Sequence, residues 1–146
     1  MLKCGEQFDT PKMYPIIGIM TRQRAPGEKP LFWMGSSRED LMGFPAEVRD
    51  EVGHALGIAQ FGGKAESAKP WKGEGPGVFE IVENHEGDAF RAVYTVRFQR
   101  AVYVLHAFQK KSTRGIKTSK RDVELISGRL RAAAKHYEES YGTDES

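Results

Sequence analysis

One cysteine, Cys4, stands among 146 residues. A single thiol builds neither an intrachain disulfide nor a thiolate zinc site. Such usage fits a reducing compartment, so the cytoplasm is the expected location. Long apolar runs are missing too: no stretch of the chain approaches the roughly 18 residues that a membrane span needs. "YPIIGIM" (14–20) is short and has no convincing cleavage site, which argues against a signal peptide. There is no Walker loop, dinucleotide fingerprint, nucleophile elbow or zinc-deaminase signature. "GEGPG" (73–77) lacks the helix that a phosphate loop requires. His54, His85, His106 and His136 have no metal-ligand spacing, so neither a metal nor a cofactor is expected.

Net charge is only +2, which excludes a polycation, but the charge is unevenly placed. Residues 64–121 carry twelve Lys/Arg against six Asp/Glu, an excess of +6. Within "KKSTRGIKTSKR" (110–121) there are six cations and no acid: Lys110, Lys111, Arg114, Lys117, Lys120 and Arg121. Such a cluster is either a solvated turn or a grip for a phosphate-rich partner.

Periodicity predicts one α+β domain over 29–146, preceded by a Pro/Gly-containing extension over 1–28 that reads as flexible in part. "KPLFWMG" (29–35) reads as a short strand and "SSREDLMGF" (36–44) as a short helix capped by Ser36 or Ser37. Pro45 suits the first position of a longer helix, on which Val48, Val52, Ala55, Leu56 and Ala59 recur at helical spacing. Gly53 and Gly57, four apart, suggest close packing on that helix, and 64–77 reads as a loop. Three strands follow: 77–83, 89–98 and 101–109, the last apolar at nearly every position and therefore interior to its sheet. Ser119 caps a final helix with Asp122 as a capping-box-like acid and Val123, Ile126, Leu130, Ala133 and Tyr137 on one face. The expected order is β-α-α-β-β-β-α, an antiparallel hairpin sheet with helices packed on it.

Several residues are candidates for chemistry. Arg91 and Arg97 project from the strand face opposite the apolar row, as rigidly held groups or as ordinary polar alternation. Glu80 faces Arg91 across the hairpin, either as a base or as a structural ion pair. His106, inside an apolar strand, shares a side with Phe108 and Lys110. A lone histidine there is either a hydrogen-bonded core group or a titratable one beside the basic cluster. Trp71, in "KPWKG" beside Lys72, either stacks on a base or plugs the sheet edge.

The run "KPWKGEGPGVFEIVE…FRAVYTVRF…AVYVLHAFQKKSTRGIKT…RDVELISGRLRAA", with the upstream "KPLFWMGSSREDLMGFP", resembles the phage-derived HigB-like toxins of the RelE/ParE superfamily. The resemblance extends from about Lys29 to Tyr137. It implies a compact toxin in which a helical pair and a C-terminal helix pack on an antiparallel sheet, with a helix-turn-helix antitoxin encoded nearby. Many relatives are endoribonucleases that cut mRNA on the ribosome and stop translation. Arg91 in "FRAVY" matches the arginine of their "YR-x-x-Y" pattern, and Lys110 and Lys111 match the basic pair closing the last strand. His106 falls in the "LHAF" element of the HigB-like branch. The tyrosine that some relatives carry after the basic pair has no match here. The resemblance therefore implies metal-free attack by the RNA 2′-OH. On this reading Arg91 is expected to meet the developing charge, Lys110 and Lys111 to hold the backbone, Glu80 or His106 to serve in proton transfer, and Trp71, Lys72, Arg97, Arg114, Lys117 and Lys120 to bind RNA. Two alternatives stand beside it: a non-nuclease inhibitor of the gyrase-poisoning (ParE) type, and an inactive phage-derived binding protein.

Overall fold

The computed structural model describes residues 24–110 and 118–142. Along the chain run β1 (Leu31–Trp33), α1 (Ser37–Met42), α2 (Ala46–Gln60), β2 (Ala68–Pro70), β3 (Val78–His85), β4 (Asp88–Thr95), β5 (Val102–Lys110) and α3 (Lys120–Tyr141). The strands form one open sheet in the order β1-β5-β4-β3-β2. Every neighbouring pair is antiparallel except β1 and β5, which run parallel. The fold is α+β, with the helical pair α1–α2 near the start and α3 at the end, as the sequence led us to expect.

Strand alternation sends β5 side chains to two different cores, which explains its unbroken apolarity. Val102, Val104 and Ala107 join Ile81, Ala92 and Tyr94 under α1 and α2, where Leu41, Val48, Val52 and Leu56 are buried. Tyr103 and Leu105 join Val78 and Val93 under α3, where Ile126, Leu130, Ala133 and Tyr137 are buried. Full burial of one such aliphatic or aromatic side chain stabilises by roughly 1.5–3 kcal/mol, so both layers hold the sheet firmly.

The β3–β4 connection is tighter than the "NHEGD" turn predicted: His85 still pairs with Asp88, leaving Glu86 and Gly87 as the whole loop. Both have positive φ, 50° and 88°, the conformation that a two-residue hairpin matched to strand twist demands. β4 ends at Thr95, short of the predicted 98. The predicted loop 64–77 contains β2, which pairs with β3 through Lys69 opposite Glu80. Pro70 is compatible with this because β2 is an edge strand.

Two helix details also differ. Pro45 is the N-cap of α2 rather than its first residue. A Cβ added at Gly57 meets nothing within 4 Å, so close packing does not account for that glycine. On α3, Val123 is 38% exposed instead of joining the buried face, because the first turn meets the sheet through Asp122. Residues 25–28, placed in the extension, form a turn in which the Ala25 amide donates to Glu28 Oε1 (2.9 Å). The rest of the extension lies outside the described residues.

Candidate nucleic-acid interface

The strand registers stack three rows on the α3 side of the sheet. Glu80, Val93 and His106 form one row, Val82, Arg91 and Phe108 the next, and Asn84, Ala89 and Lys110 the third. Paired residues point to the same face, so Glu80, Val82, Arg91, His106, Phe108 and Lys110 share it. The helix meets the first row where Asp122, in its first turn, touches His106, and Phe108 of the second row packs at the margin of the α3-side core. Glu80, Val82, Arg91, Phe108 and Lys110 are all partly exposed. An edge of charged side chains thus rests on strands whose other ends are locked into two cores.

Arg91 sits in the middle of this patch. Its Nη1 donates to Glu80 Oε1 at 2.6 Å, with the side chains 20% and 15% exposed. The contact is diagonal across the β3–β4 ladder, since Glu80 itself is opposite Val93. Arg91 Nε is buried and makes no hydrogen bond among the described residues. A guanidinium has five N–H donors, so one carboxylate contact leaves Arg91 under-satisfied. Lys110 lies diagonally on the other side. Burial pushes its ammonium below the ordinary lysine value, and the Arg91 charge pushes it further, partly offset by Glu80. Arg91 thus lies between the Glu80 carboxylate and the Lys110 ammonium, one acid for two cations.

His106 belongs to the helix contact. Its Nε2 lies 2.7 Å from Asp122 Oδ1, and its Nδ1 lies 3.4 Å from Arg129 Nη1. A guanidinium only donates, so Nδ1 accepts and the proton sits on Nε2, donated to Asp122. Burial lowers the imidazole pKa, the Asp122 hydrogen bond opposes this, and the neutral form is favoured. Asp122 is raised by burial but more strongly lowered by its bonds from His106 and from Ser119 Oγ (2.7 Å), leaving it below the usual carboxylate value. Arg129 also donates to the Leu105 carbonyl (3.0 Å) and to Ser36 Oγ (3.3 Å). Leu105 falls at the register shift where Val93 pairs with His106 but Tyr94 pairs with Val104. The bulge leaves Leu105 without a cross-strand partner, and Arg129 occupies its carbonyl.

The other predicted residues scatter. Trp71 is 8% exposed and packs into the α3-side core, the edge-plugging alternative rather than a free stacking surface. Lys72 is exposed on the adjacent turn. Arg97, beyond the end of β4, donates to the carbonyls of Glu74 and Pro76 and so closes the glycine-rich loop. Gly77 in that loop has φ +87°, and an added Cβ would lie 3.1 Å from Arg97 Cα, so the close approach itself requires glycine. Lys120 is 88% exposed, 4.0 Å from Glu124. Lys111, Arg114 and Lys117 lie outside the described residues. Among the described residues no group of three or more His, Cys, Asp or Glu side chains could hold a metal ion, and no helix is long and apolar enough to cross a membrane.

Arg129 and the second role of Asp122 were not anticipated. Their separation of seven residues, two helical turns, places both on one face of α3, and that signal was present in the sequence.

Residues 39–131 match the family model described as Phage derived protein Gp49-like. The chain belongs to this family. The matched segment covers well over half of the chain and runs from α1 into α3, so it includes Glu80, Arg91, Phe108, Lys110, Asp122 and Arg129. Membership bears out the phage-derived part of the resemblance seen in the sequence. No curated protein and no solved structure matches the Gp49-like chain.

Proposed function

We propose that this Gp49-like chain is the toxin of a type II toxin–antitoxin module and cleaves mRNA without a metal. The observation that carries the reading is the under-satisfied Arg91, held at 2.6 Å by Glu80 and flanked by Lys110, on the uncovered end of a rigid sheet.

Positioning and charge stabilisation suffice for RNA scission, because the RNA supplies its own nucleophile. Arg91 grips the non-bridging phosphate oxygens and meets the charge that grows on them. Glu80 takes the proton from the 2′-OH as the 2′-oxygen bonds to phosphorus. Lys110, its acidity raised by burial and by Arg91, gives a proton to the departing 5′-oxygen as that P–O bond breaks. The products are a 2′,3′-cyclic phosphate and a 5′-hydroxyl, and no electrons are exchanged. His106 has both ring nitrogens engaged and takes no part in proton transfer; it anchors α3 to the strand that carries Lys110. Lys111, Arg114, Lys117, Lys120, Lys72 and Arg97 contribute basic surface for the RNA backbone. The ribosome orients the mRNA, and a helix-turn-helix antitoxin covers the Arg91 patch or displaces α3. The place of action is the cytoplasm.

A cell-free translation assay tests this. Wild type cleaves mRNA and blocks synthesis. Arg91→Ala and Lys110→Ala lose cleavage, by about 10²–10³-fold for removal of a principal charge-stabilising donor. Undiminished cleavage by both variants rules out the assigned site. Growth arrest with intact mRNA, relieved by a resistant gyrase, selects the gyrase-poisoning alternative.

A further inference from the structure

We propose that the partly exposed ring of Phe108, at the margin of the α3-side core, is a stacking platform for a nucleobase of single-stranded RNA, next to the phosphate held by Arg91. The proposal deepens, and rests on, the nuclease reading above. β5 buries every residue from Val102 to Ala107 and then leaves Phe108 partly open, although a purely structural phenylalanine gains most by full burial. Phe108 is directly opposite Arg91 in the β4–β5 ladder, about 5 Å away by strand spacing. Its ring lies parallel to the His106 imidazole, with centroids 4.7 Å apart and planes 19° apart. That imidazole is immobilised from both nitrogens by Asp122 and Arg129. The platform is therefore backed by a fixed ring and costs little ordering when a base arrives.

Lys110, two residues on and on the same side, sets a cation beside the platform. An aromatic ring flanked by cations on a sheet is the combination that single-strand binding uses, with stacking that tolerates any base. Trp71, the aromatic that composition made the first candidate, is inside the core. The platform's ligand class is thus a nucleobase already unpaired, not a duplex.

The test is direct binding by the full chain of a short RNA whose riboses are all 2′-O-methylated, so that 2′-OH attack cannot occur. One nucleotide is 2-aminopurine, moved through each position in turn. Wild type quenches the fluorescence at one position. Phe108→Leu, which keeps apolar bulk without a π face, weakens binding by about 5- to 100-fold and abolishes that quench. Phe108→Trp retains both. Arg91→Ala loses affinity but keeps the quench at saturation. Wild-type binding with no position-specific quench, no binding at all, or equal binding by a folded Phe108→Leu overturns the platform. The wild-type quench is decisive even if Phe108→Leu does not fold. Cleavage is not read here, so failure of the platform is distinct from failure of the nuclease reading, which the mRNA assay decides.

Discussion

Arg91 Nη1 and Glu80 Oε1 meet at 2.6 Å across two strands, and the arginine that Glu80 holds keeps a buried Nε with no hydrogen bond among the described residues. The pair fixes one terminal nitrogen of the guanidinium on the sheet face, while Nε is shielded from solvent. Replacing Glu80 by Ala leaves that charge uncompensated. We expect a loss of about 1.5–3 kcal/mol in urea unfolding, the worth of a charged hydrogen bond, together with loss of cleavage. Glu80→Gln keeps a hydrogen-bond acceptor for Arg91, so it restores most of the stability but none of the base. Equal cleavage by Glu80→Gln and wild type would remove Glu80 from proton transfer.

Lys110 gives a pH signature. Its pKa is lowered by burial first and by Arg91 second. As the acid, it must be protonated, so the cleavage rate falls as pH rises through that lowered value. The alkaline limb of the rate profile should therefore lie below the ordinary lysine value of about 10.4. Arg91→Lys keeps one cation there but loses the fork, so it should leave the limb in place while lowering the rate. A limb that does not respond to Lys110→Arg contradicts the assignment.

The His106–Asp122 contact predicts acid sensitivity of the fold. His106 is held neutral by burial, so the unfolded chain binds the proton first. Stability is lost as pH falls below the unfolded histidine value of about 6.5, down to the lowered folded value. Asp122 is depressed, so its contribution is present above the ordinary carboxylate value and is lost as pH falls through the folded one. Urea midpoints measured from pH 7 down to 4 should decline. His106→Gln should flatten the upper part of that decline, with His136, also lowered by burial, supplying the remainder. An unchanged slope in His106→Gln would count against the buried neutral imidazole.

Gly57 offers a gain. It sits inside α2 with open space where a Cβ would be. Gly57→Ala should stabilise the protein by about 0.5–1 kcal/mol, read as a higher urea midpoint at unchanged slope, with cleavage unaffected.

Much of this arrangement is legible in the sequence because it is local. The helical spacing of Val48 to Ala59 and the capping role of Ser119 are encoded within a few residues, and both appear as read. The interior position of β5 follows from its unbroken apolarity, and the Glu80–Arg91 pairing follows from hairpin geometry. What was missed is non-local or very short. β2 has three residues and contains Pro70, so its composition is that of a loop, and only pairing with β3 makes it a strand. Trp71 reads as a loop tryptophan for the same reason, yet its neighbour β2 draws it beneath the α3 side of the sheet. The parallel pairing of β1 with β5 and the bulge at Leu105 depend on how distant segments meet. Asp122 shows the limit most clearly: its cap to Ser119 is local and visible, while its bond to His106, sixteen residues away, requires the fold.

The most direct measurement is a map of mRNA ends in cells shortly after induction of the wild-type chain and of Arg91→Ala, each with and without a co-expressed antitoxin. Wild type should generate new 5′-hydroxyl ends within coding regions, Arg91→Ala should generate none, and the antitoxin should suppress them. New ends appearing equally with Arg91→Ala, or arrest by wild type with every transcript intact, would contradict an arginine-centred, metal-free ribonuclease site on this sheet.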